Sequence, residues 1–316
     1  MNYEDLLKEI ILQDERFVIL TAENRAAIRN LPGIIGNRFI DTGITEQALI
    51  GIAAGLALRG RIPVVHALAT FLTMRAFEFI RTDIGIGKLP VKLVGAVPGF
   101  LSEANGPTHQ AIEDISIMRG IPGMNIFCPA DLQDLLIGLP KVLRSEESFY
   151  IRFNNLPNAI EHKKEFEIGK AELISNGFDV TILTYGILLN QALKAKQILD
   201  SQKISVRLIN LRTLKPINEE IILQSVNQTP LIVTLEDHFL TGGLFSIVSE
   251  ILIKNQMLCK VLPLALENKW FKPALLRDVL EYEGFTGEII SKKIKSYLNK
   301  IPSRTIWNSY IENYIS

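Results

Sequence analysis

Short β-branched or apolar runs alternate with longer helical patterns along this chain, and this alternation limits the folds open to it. The first half contains six such runs bounded by turn-forming residues, at 17–21, 38–41, 64–68, 91–97, 125–128 and 149–153. Helical patterns fit between them, at 3–12, 46–58, 71–82, 113–119 and 131–144. Strands that are separated by helices usually pair as parallel neighbours, so the sequence predicts an α/β fold.

The alternation breaks between residues 154 and 170 and then restarts. This stretch holds Pro157 and a charged run at 161–165, which is typical of a solvated connecting segment. Further strand patterns follow at 180–184, 206–210, 231–235 and 260–263, with helical patterns near 188–200, 218–225 and 243–255. A chain of 316 residues can bury two cores. We expect a first domain over 1–160, a linker over 161–175 and a smaller α/β domain over 176–316.

Composition excludes several classes of protein. With 34 basic and 34 acidic side chains, the chain has no net field to attract nucleic acid or anionic lipid. Cys128 and Cys259 lack the spacing of a zinc site or a disulfide framework. The most apolar stretch, 48–58, is shorter than the roughly 20 residues of a membrane helix. Acidic residues within 1–10 do not fit a signal peptide, so we expect a cytoplasmic protein.

The first candidate for chemistry is Glu46, which opens a predicted helix directly after a predicted strand and the turn at Gly43. Ligands of open α/β sheets collect at such carboxyl ends of strands. The spacing alone allows a second interpretation, because acidic residues in the first helical turn are also favoured by the helix dipole.

An aromatic face follows on the next predicted helix. Phe71, Met74 and Phe77 repeat at i, i+3 and i+6 after the strand at 64–68, so they share one side of the helix and can form a wall for a flat ring. Periodicity leaves a second interpretation open, in which the same face belongs to the hydrophobic core.

The third candidate is His109, within the turn-rich segment 105–110 that follows the strand at 91–97. Turn formers place this histidine on a loop, where functional residues concentrate. A loop at the same sheet edge as Glu46 can bring the imidazole to a shared substrate.

Together these segments closely resemble the pyrimidine-binding domain of transketolases and deoxyxylulose-phosphate synthases. The family pattern runs as a G-I-x-E-Q turn, then T-F-L, then a G-P-T-H-Q loop, and these stand here at 43–47, 70–72 and 106–110. The second half resembles the C-terminal domain of the same family, including the run 236–238 before Gly242 and Gly243. We expect His238 in that run to be structural.

The resemblance implies a thiamine-diphosphate enzyme that transfers a two-carbon ketol unit from a ketose to an aldose. It implies that Glu46 hydrogen-bonds the cofactor's aminopyrimidine and that Phe71 stacks on this ring, with Met74 and Phe77 completing an apolar pocket. His109 corresponds to a residue that contacts the donor sugar during catalysis. Glu23 matches an acidic position near the cofactor.

One family element is absent from the sequence. Relatives hold Mg²⁺ and the cofactor's diphosphate through a G-D-G motif and a later asparagine, and no G-D-G occurs here. The chain therefore resembles the C-terminal subunit of a split transketolase. That resemblance implies a partner chain with the Mg²⁺ and diphosphate site, an α2β2 assembly, activity only in the complex, and no metal site in this chain.

Several substrate positions depart from the family pattern. Of the residues that clamp a sugar phosphate in ordinary transketolases, only Arg152 stands in place, while Ala27 and Val97 replace a serine and a histidine. Asn105 replaces an acidic residue that reads donor stereochemistry. Because the loss of charged partners weakens phosphate binding, we expect a donor or acceptor other than the pentose-phosphate sugars.

Two alternatives remain at this point. The β subunit of a 2-oxoacid dehydrogenase E1 component has the same two domains, although the loop at 106–110 argues against it. A non-catalytic assembly subunit could also retain this fold.

Overall fold

A computed structural model describes residues 1–300 of the chain. The strands, numbered along the chain, are β1 Phe17–Thr21, β2 Phe39–Asp41, β3 Ile62–Leu68, β4 Lys92–Ala96, β5 Met124–Phe127, β6 Ser148–Phe153, β7 Glu172–Ser175, β8 Val180–Thr184, β9 Val206–Asn210, β10 Thr213–Lys215, β11 Leu231–Phe239 and β12 Lys260–Leu266. The α-helices are α1 Tyr3–Gln13, α2 Pro32–Ile35, α3 Glu46–Leu58, α4 Phe77–Phe79, α5 Asp114–Arg119, α6 Leu132–Arg144, α7 Leu189–Ser201, α8 Glu219–Gln228, α9 Leu244–Lys254, α10 Leu276–Tyr282 and α11 Gly287–Leu298.

The first domain is built on a seven-stranded sheet in the order β10-β5-β6-β4-β3-β1-β2. Its strands are parallel except for β10, an edge strand that comes from the second half of the chain and pairs antiparallel with β5. Every residue of β1 and β6 is buried. Helices therefore cover both faces of these strands, which explains their nearly continuous apolar sequences.

The order of the strands locates a crevice in this sheet. From β1 the chain crosses to β2 on one side and then returns to β3 on the other, so the direction of winding reverses between β1 and β3. In open α/β sheets, ligands bind outside the carboxyl ends of the strands at such a reversal. The segments after β1, β2, β3 and β4 meet at this edge, and we refer to it as the catalytic edge.

The second domain has a five-stranded sheet in the order β12-β11-β8-β9-β7, with only β7 antiparallel. One buried apolar cluster runs through both domains, since it includes Leu93 and Met118 of the first and Leu183 and Val248 of the second. The mixed α/β architecture in two domains is as the sequence predicts. Among residues 1–300, no helix has both the length and the apolar character that crossing a membrane demands.

The segment 161–175 is only partly solvated, since four of the five residues of the charged run 161–165 are exposed. His162 and Phe166 are buried, and the segment ends in β7, whose Glu172 is also buried. His162 and Glu172 are the buried exceptions because they pair with each other at 2.7 Å, and His162 also contacts Asp131 at 2.9 Å. The bounds of the two domains and the linker stay a prediction, and residues 301–316 of the predicted second domain lie outside the described residues.

The helix predicted over 71–82 is present but irregular. It begins with a π turn at Phe71–Arg75, passes through α4 and ends in a second π turn at Ile80–Ile86. The N–H of Ala76 donates to the carbonyl of Phe71, five residues back, at 3.3 Å. The hydroxyl of Thr73 donates to the carbonyl of Ala69 at 2.8 Å, a bond that competes with the regular helix ladder. Such π turns occur frequently at functional sites.

Candidate active site

Glu46 is positioned by the turn that joins β2 to α3. Gly43 has a φ of 69°, a left-handed conformation that glycine adopts without strain. Its N–H donates to Asp41 Oδ1 at 2.9 Å, and Arg25 Nε contacts Asp41 Oδ2 at 2.5 Å. Burial raises the pKa of Asp41, but these hydrogen bonds outweigh it and leave the pKa below its usual value. An ionised Asp41 thus closes the turn that aims Glu46.

The carboxyl group of Glu46 is buried, with 2% of the residue exposed. Its Oε2 accepts a hydrogen bond from Arg75 Nη1 at 2.8 Å. A favourable helix dipole would also be available to a solvated carboxylate, so the dipole alone does not account for this burial. The binding role of Glu46 stays a prediction.

A continuous chain of contacts links Glu46 to the other two motifs. The guanidinium of Arg75 lies 4.1 Å from the centroid of the Phe71 ring. The Phe71 ring in turn meets the His109 ring edge-on, with centroids 5.0 Å apart and planes inclined at 66°. Glu46, Phe71 and His109, which are far apart in sequence, thus form one site, and Arg75 is the member that sequence reasoning missed.

The backbone of the His109 loop is held by hydrogen bonds from two hydroxyl groups. Gly106 has a φ of 79°, and its carbonyl accepts the N–H of His109 at 3.0 Å. The carbonyl of His109 accepts hydrogen bonds from Thr70 Oγ1 at 2.6 Å and Ser102 Oγ at 2.5 Å. Thr70 directly precedes Phe71, so the same segment sets both the aromatic face and the backbone of the histidine.

A segment of the second domain, residues 271–276, holds the other side of this loop, and we call it the strap. Gln110 is buried and its Nε2 donates to the carbonyl of Phe271 at 2.7 Å. The N–H of Ala274 donates to the carbonyl of Glu103 at 3.1 Å, and the N–H of Leu276 donates to Glu103 Oε1 at 3.2 Å. Sequence reasoning missed this strap because its partners are more than 150 positions apart.

The remaining predicted residues lie at the catalytic edge but outside this chain of contacts. Met74 and Phe77 are half-buried, and Phe77 packs against the hydrophobic core. Glu23 is exposed with a φ of 57°, and its N–H donates to Asp41 Oδ1 at 3.2 Å. Asn105 is exposed at the end of a 3₁₀ turn, four positions before His109. Their assigned roles remain predictions.

Arg152 does not lie where a substrate could reach it. It is 3% exposed, its Nε contacts Asp114 Oδ2 at 2.8 Å, and its Nη1 contacts Asp237 Oδ1 at 2.7 Å. Because Asp237 belongs to β11, this guanidinium joins the two domains. The prediction that Arg152 contacts substrate does not fit this structure, since both of its faces are committed to buried carboxylates.

Gly99 explains how closely the domains approach at this point, which we call the interdomain seam. A Cβ at Gly99 would lie 1.8 Å from Asp237 Oδ2 and 2.8 Å from Arg152 Nη2. His238 is also buried at the seam, where its Nε2 accepts the N–H of Ser116 at 3.3 Å. Burial lowers the pKa of His238 to about 4, so this histidine is neutral near pH 7.

Within the described residues, Asp134, His162 and Glu172 form the one group with the composition of a metal site. Both nitrogens of His162 already contact carboxylates, and Arg212 Nε lies 2.7 Å from Asp134 Oδ1. Burial lowers the pKa of His162, but hydrogen bonds with Asp131 and Glu172 outweigh it and raise the pKa to about 10. The group is an ionic cluster in which protonated His162 and Arg212 provide the positive charge in place of a metal ion.

The residues around Glu46 and Phe71 fit the aminopyrimidine of thiamine diphosphate. The carboxylate and the phenyl ring already hold one planar group between them, which donates an N–H to the carboxylate and lies over the ring. An aminopyrimidine presents the same two features. A buried carboxyl group beside an aromatic wall is also a suitable site for proton exchange with a ring nitrogen.

Comparisons with known proteins match both halves of the chain. The family model for the transketolase pyrimidine-binding domain matches residues 3–156, and that for the transketolase C-terminal domain matches 169–290. The 6-deoxy-6-sulfo-D-fructose transketolase subunit SqwH of Clostridium sp. is 39% identical over 80% of this chain and 80% of its own.

Longer enzymes and solved structures show the same relationship. The 1-deoxy-D-xylulose-5-phosphate synthase of Dictyoglomus thermophilum is 36% identical over 84% of this chain, which spans 43% of that enzyme. A solved split-gene transketolase, described as an inactive beta4 tetramer, is 32% identical with a TM-score of 0.85, covering 94% of this chain and 97% of that one. On these matches and on the shared architecture, the chain belongs to the transketolase family.

Proposed function

We propose that this chain is the C-terminal subunit of a two-chain, thiamine-diphosphate-dependent transketolase that moves a two-carbon ketol unit from a ketose to an aldose. The observation that carries the proposal is the continuous contact from buried Glu46 through Arg75 and Phe71 to His109. It brings a proton-exchanging carboxyl group, a stacking ring and an imidazole to one sheet edge.

Each residue has a role that its surroundings support. Glu46 exchanges a proton with the pyrimidine nitrogen, since its carboxyl group is buried and faces a nitrogen donor. Phe71 stacks on the ring, Met74 and Phe77 exclude water beside it, and Glu23 lies at the rim. When bound, thiamine diphosphate supplies the nucleophilic carbon that cleaves the ketose. His109 hydrogen-bonds the oxygens of the donor sugar.

The partner is proposed from what this sequence lacks. No G-D-G motif occurs in it, so the diphosphate and the Mg²⁺ bound to it are assigned to a second chain. Its relative SqwH is described as a subunit, and a solved relative is described as a split-gene product that is inactive as a beta4 tetramer. We propose an α2β2 complex and expect this chain to be inactive alone.

The substrate is proposed to be a modified sugar. Arg152 is committed to the interdomain seam, Ala27 and Val97 stand where the family carries a serine and a histidine, and Asn105 replaces an acid. The relative SqwH is described as acting on 6-deoxy-6-sulfo-D-fructose, which is a departure of the same kind.

Both cysteines are free thiols, in keeping with a reaction in the reducing cytoplasm.

The proposal is tested with the complex of this chain and its G-D-G partner. We expect ketol transfer between a ketose and an aldose, with weak turnover of xylulose 5-phosphate and ribose 5-phosphate. Glu46→Gln keeps the size of the side chain but cannot exchange the proton, so kcat is expected to fall by on the order of 10² or more. The control is Glu78→Gln, an exposed glutamate on the neighbouring irregular helix that carries Phe71 and Arg75.

The same complex separates the alternatives. A 1-deoxy-D-xylulose-5-phosphate synthase, which the identity of 36% makes a second candidate, would form 1-deoxy-D-xylulose 5-phosphate. A 2-oxoacid dehydrogenase subunit would decarboxylate a 2-oxoacid without an aldose acceptor. Unchanged activity in Glu46→Gln would point to a non-catalytic assembly subunit and overturn the proposal.

A further inference from the structure

Arg75 occupies the position at which the proposed function requires the cofactor's ring. It ends the π turn Phe71–Arg75 and reaches back over the first residue of that turn. Its Nη1 donates to Glu46 Oε2 at 2.8 Å, and its guanidinium carbon lies 4.1 Å from the centroid of the Phe71 ring. A separation of 4.1 Å is close to van der Waals contact, so no second ring fits between them.

The chemistry of the guanidinium explains why it fits. It is planar, it carries N–H donors in its plane, and it stacks readily on aromatic faces. An aminopyrimidine likewise directs its nitrogen edge at a carboxylate while its face lies on a phenyl ring. Arg75 therefore makes both contacts that the proposed function assigns to the cofactor on this chain.

We propose that Arg75 is an internal stand-in for the aminopyrimidine, and that cofactor binding requires its guanidinium to leave Glu46 and Phe71. The inference rests on the proposed function and adds a positioning role to it. Until the cofactor arrives, Arg75 keeps the carboxylate of Glu46 paired and oriented, because a buried carboxylate without a partner is strongly disfavoured.

The surroundings of Arg75 allow this exchange. Its side chain is 40% exposed and makes a single ion pair within residues 1–300, so solvent can receive the guanidinium when it swings away. Arg152, by contrast, has a 4% exposed side chain between two buried carboxylates and has no such route. The difference in exposure identifies Arg75 as the replaceable arginine.

The test uses the full chain and the neutral probe 4-amino-5-hydroxymethyl-2-methylpyrimidine, titrated by protein-observed NMR. Arg75→Met leaves the slot open, so we expect it to bind the probe at least about fivefold more tightly than the wild type. Because the probe is uncharged, loss of positive charge does not by itself explain a gain. Arg75→Lys keeps the charge but not the plane, and intermediate affinity is expected.

Two controls separate the possible results. Arg81→Met removes an exposed arginine from the same irregular helix and is expected to bind as the wild type does. Glu46→Gln is expected to lose binding in every background. Melting temperatures of all variants establish that they fold. If Arg75→Met does not fold, Arg75→Lys serves as the test.

The outcomes are distinguishable. Equal or weaker binding by folded Arg75→Met, or no detectable binding at millimolar probe, would show that Arg75 does not obstruct the slot and would overturn the inference alone. Binding that is indifferent to Glu46→Gln would instead remove the pyrimidine site and with it the proposed function. A gain confined to Arg75→Met and Arg75→Lys is the result that supports the stand-in.

Discussion

Two arginines of the first domain show how differently its catalytic edge and its interdomain seam are built. At the catalytic edge, Arg75 is partly exposed and holds one carboxylate and one aromatic face. At the seam, Arg152 is buried between Asp114 and Asp237, and the hydroxyl of Tyr150 donates to Asp114 as well, at 2.7 Å. One arginine can be replaced by a ligand, whereas the other joins two domains.

The comparison also shows that the position of a residue in a family motif does not by itself determine the role of its side chain. Arg152 stands in a family position for substrate phosphate, yet its guanidinium is committed inside the protein. Arg75 lies outside the three family motifs at 43–47, 70–72 and 106–110, yet it contacts both Glu46 and Phe71. A long flexible cation can serve either purpose, so its partners in the folded chain decide between them.

The largest effect is expected at the seam. Arg152→Met leaves two buried carboxylates without a counter-charge, so the free energy of unfolding should fall by about 3–5 kcal/mol. Urea unfolding measures this, and Arg81→Met on the surface should stay within about 0.5 kcal/mol of the wild type. A loss as small for Arg152→Met as for Arg81→Met would contradict the contrast between the two regions.

The next effect concerns how closely the domains approach. Gly99 has a φ of 58°, and a methyl group there would overlap the Asp237 carboxylate. Gly99→Ala adds backbone strain to overpacking, so we expect a loss of about 2–4 kcal/mol in the free energy of unfolding. Gly123→Ala is a matched control, because Gly123 has a φ of 76° but open space around its Cβ. Equal losses would mean that strain, and not the seam, accounts for the effect.

A pH dependence tests the ionic contacts of His162, a buried residue within the segment 161–175. Folding raises the pKa of His162 from 6.5 to about 10, so the folded chain binds an extra proton between these values. The stabilisation is complete below pH 6.5 and falls as pH rises through this window, by at most about 1.4 kcal/mol per pH unit. The difference in unfolding free energy between wild type and His162→Gln should show this slope. A difference that does not vary with pH would remove the proposed charge on His162.

The smallest effect is expected at the strap over the His109 loop. Glu103→Met removes the acceptor for the N–H of Leu276 and should weaken the hold on the loop by about 1 kcal/mol. In the active complex we expect KM for the donor sugar to rise several-fold while cofactor affinity stays unchanged, because the strap contacts only the His109 side of the site. Glu103→Gln retains an acceptor oxygen and should restore KM. If cofactor affinity changed as well, the two halves of the site would not be separable.

The sequence was a good guide wherever a property depends on neighbours along the chain. The bounds predicted for α3, at 46–58, are those observed, because a turn glycine and a continuous apolar run define them locally. The strands at 17–21, 180–184 and 206–210 are also found as predicted. In contrast, the sequence patterns did not predict β7 and β10, because strands of four and three residues depend on pairing with distant partners.

The sequence by itself determined the α/β architecture, the two domains and the three motifs whose side chains meet at the catalytic edge. Only the tertiary structure decided which charges are available there. Periodicity and turn chemistry act over a few residues and are legible in the order of amino acids. The partner of a buried charge is chosen by strand order and domain packing, which bring Arg75 to Glu46 and Arg152 to Asp237.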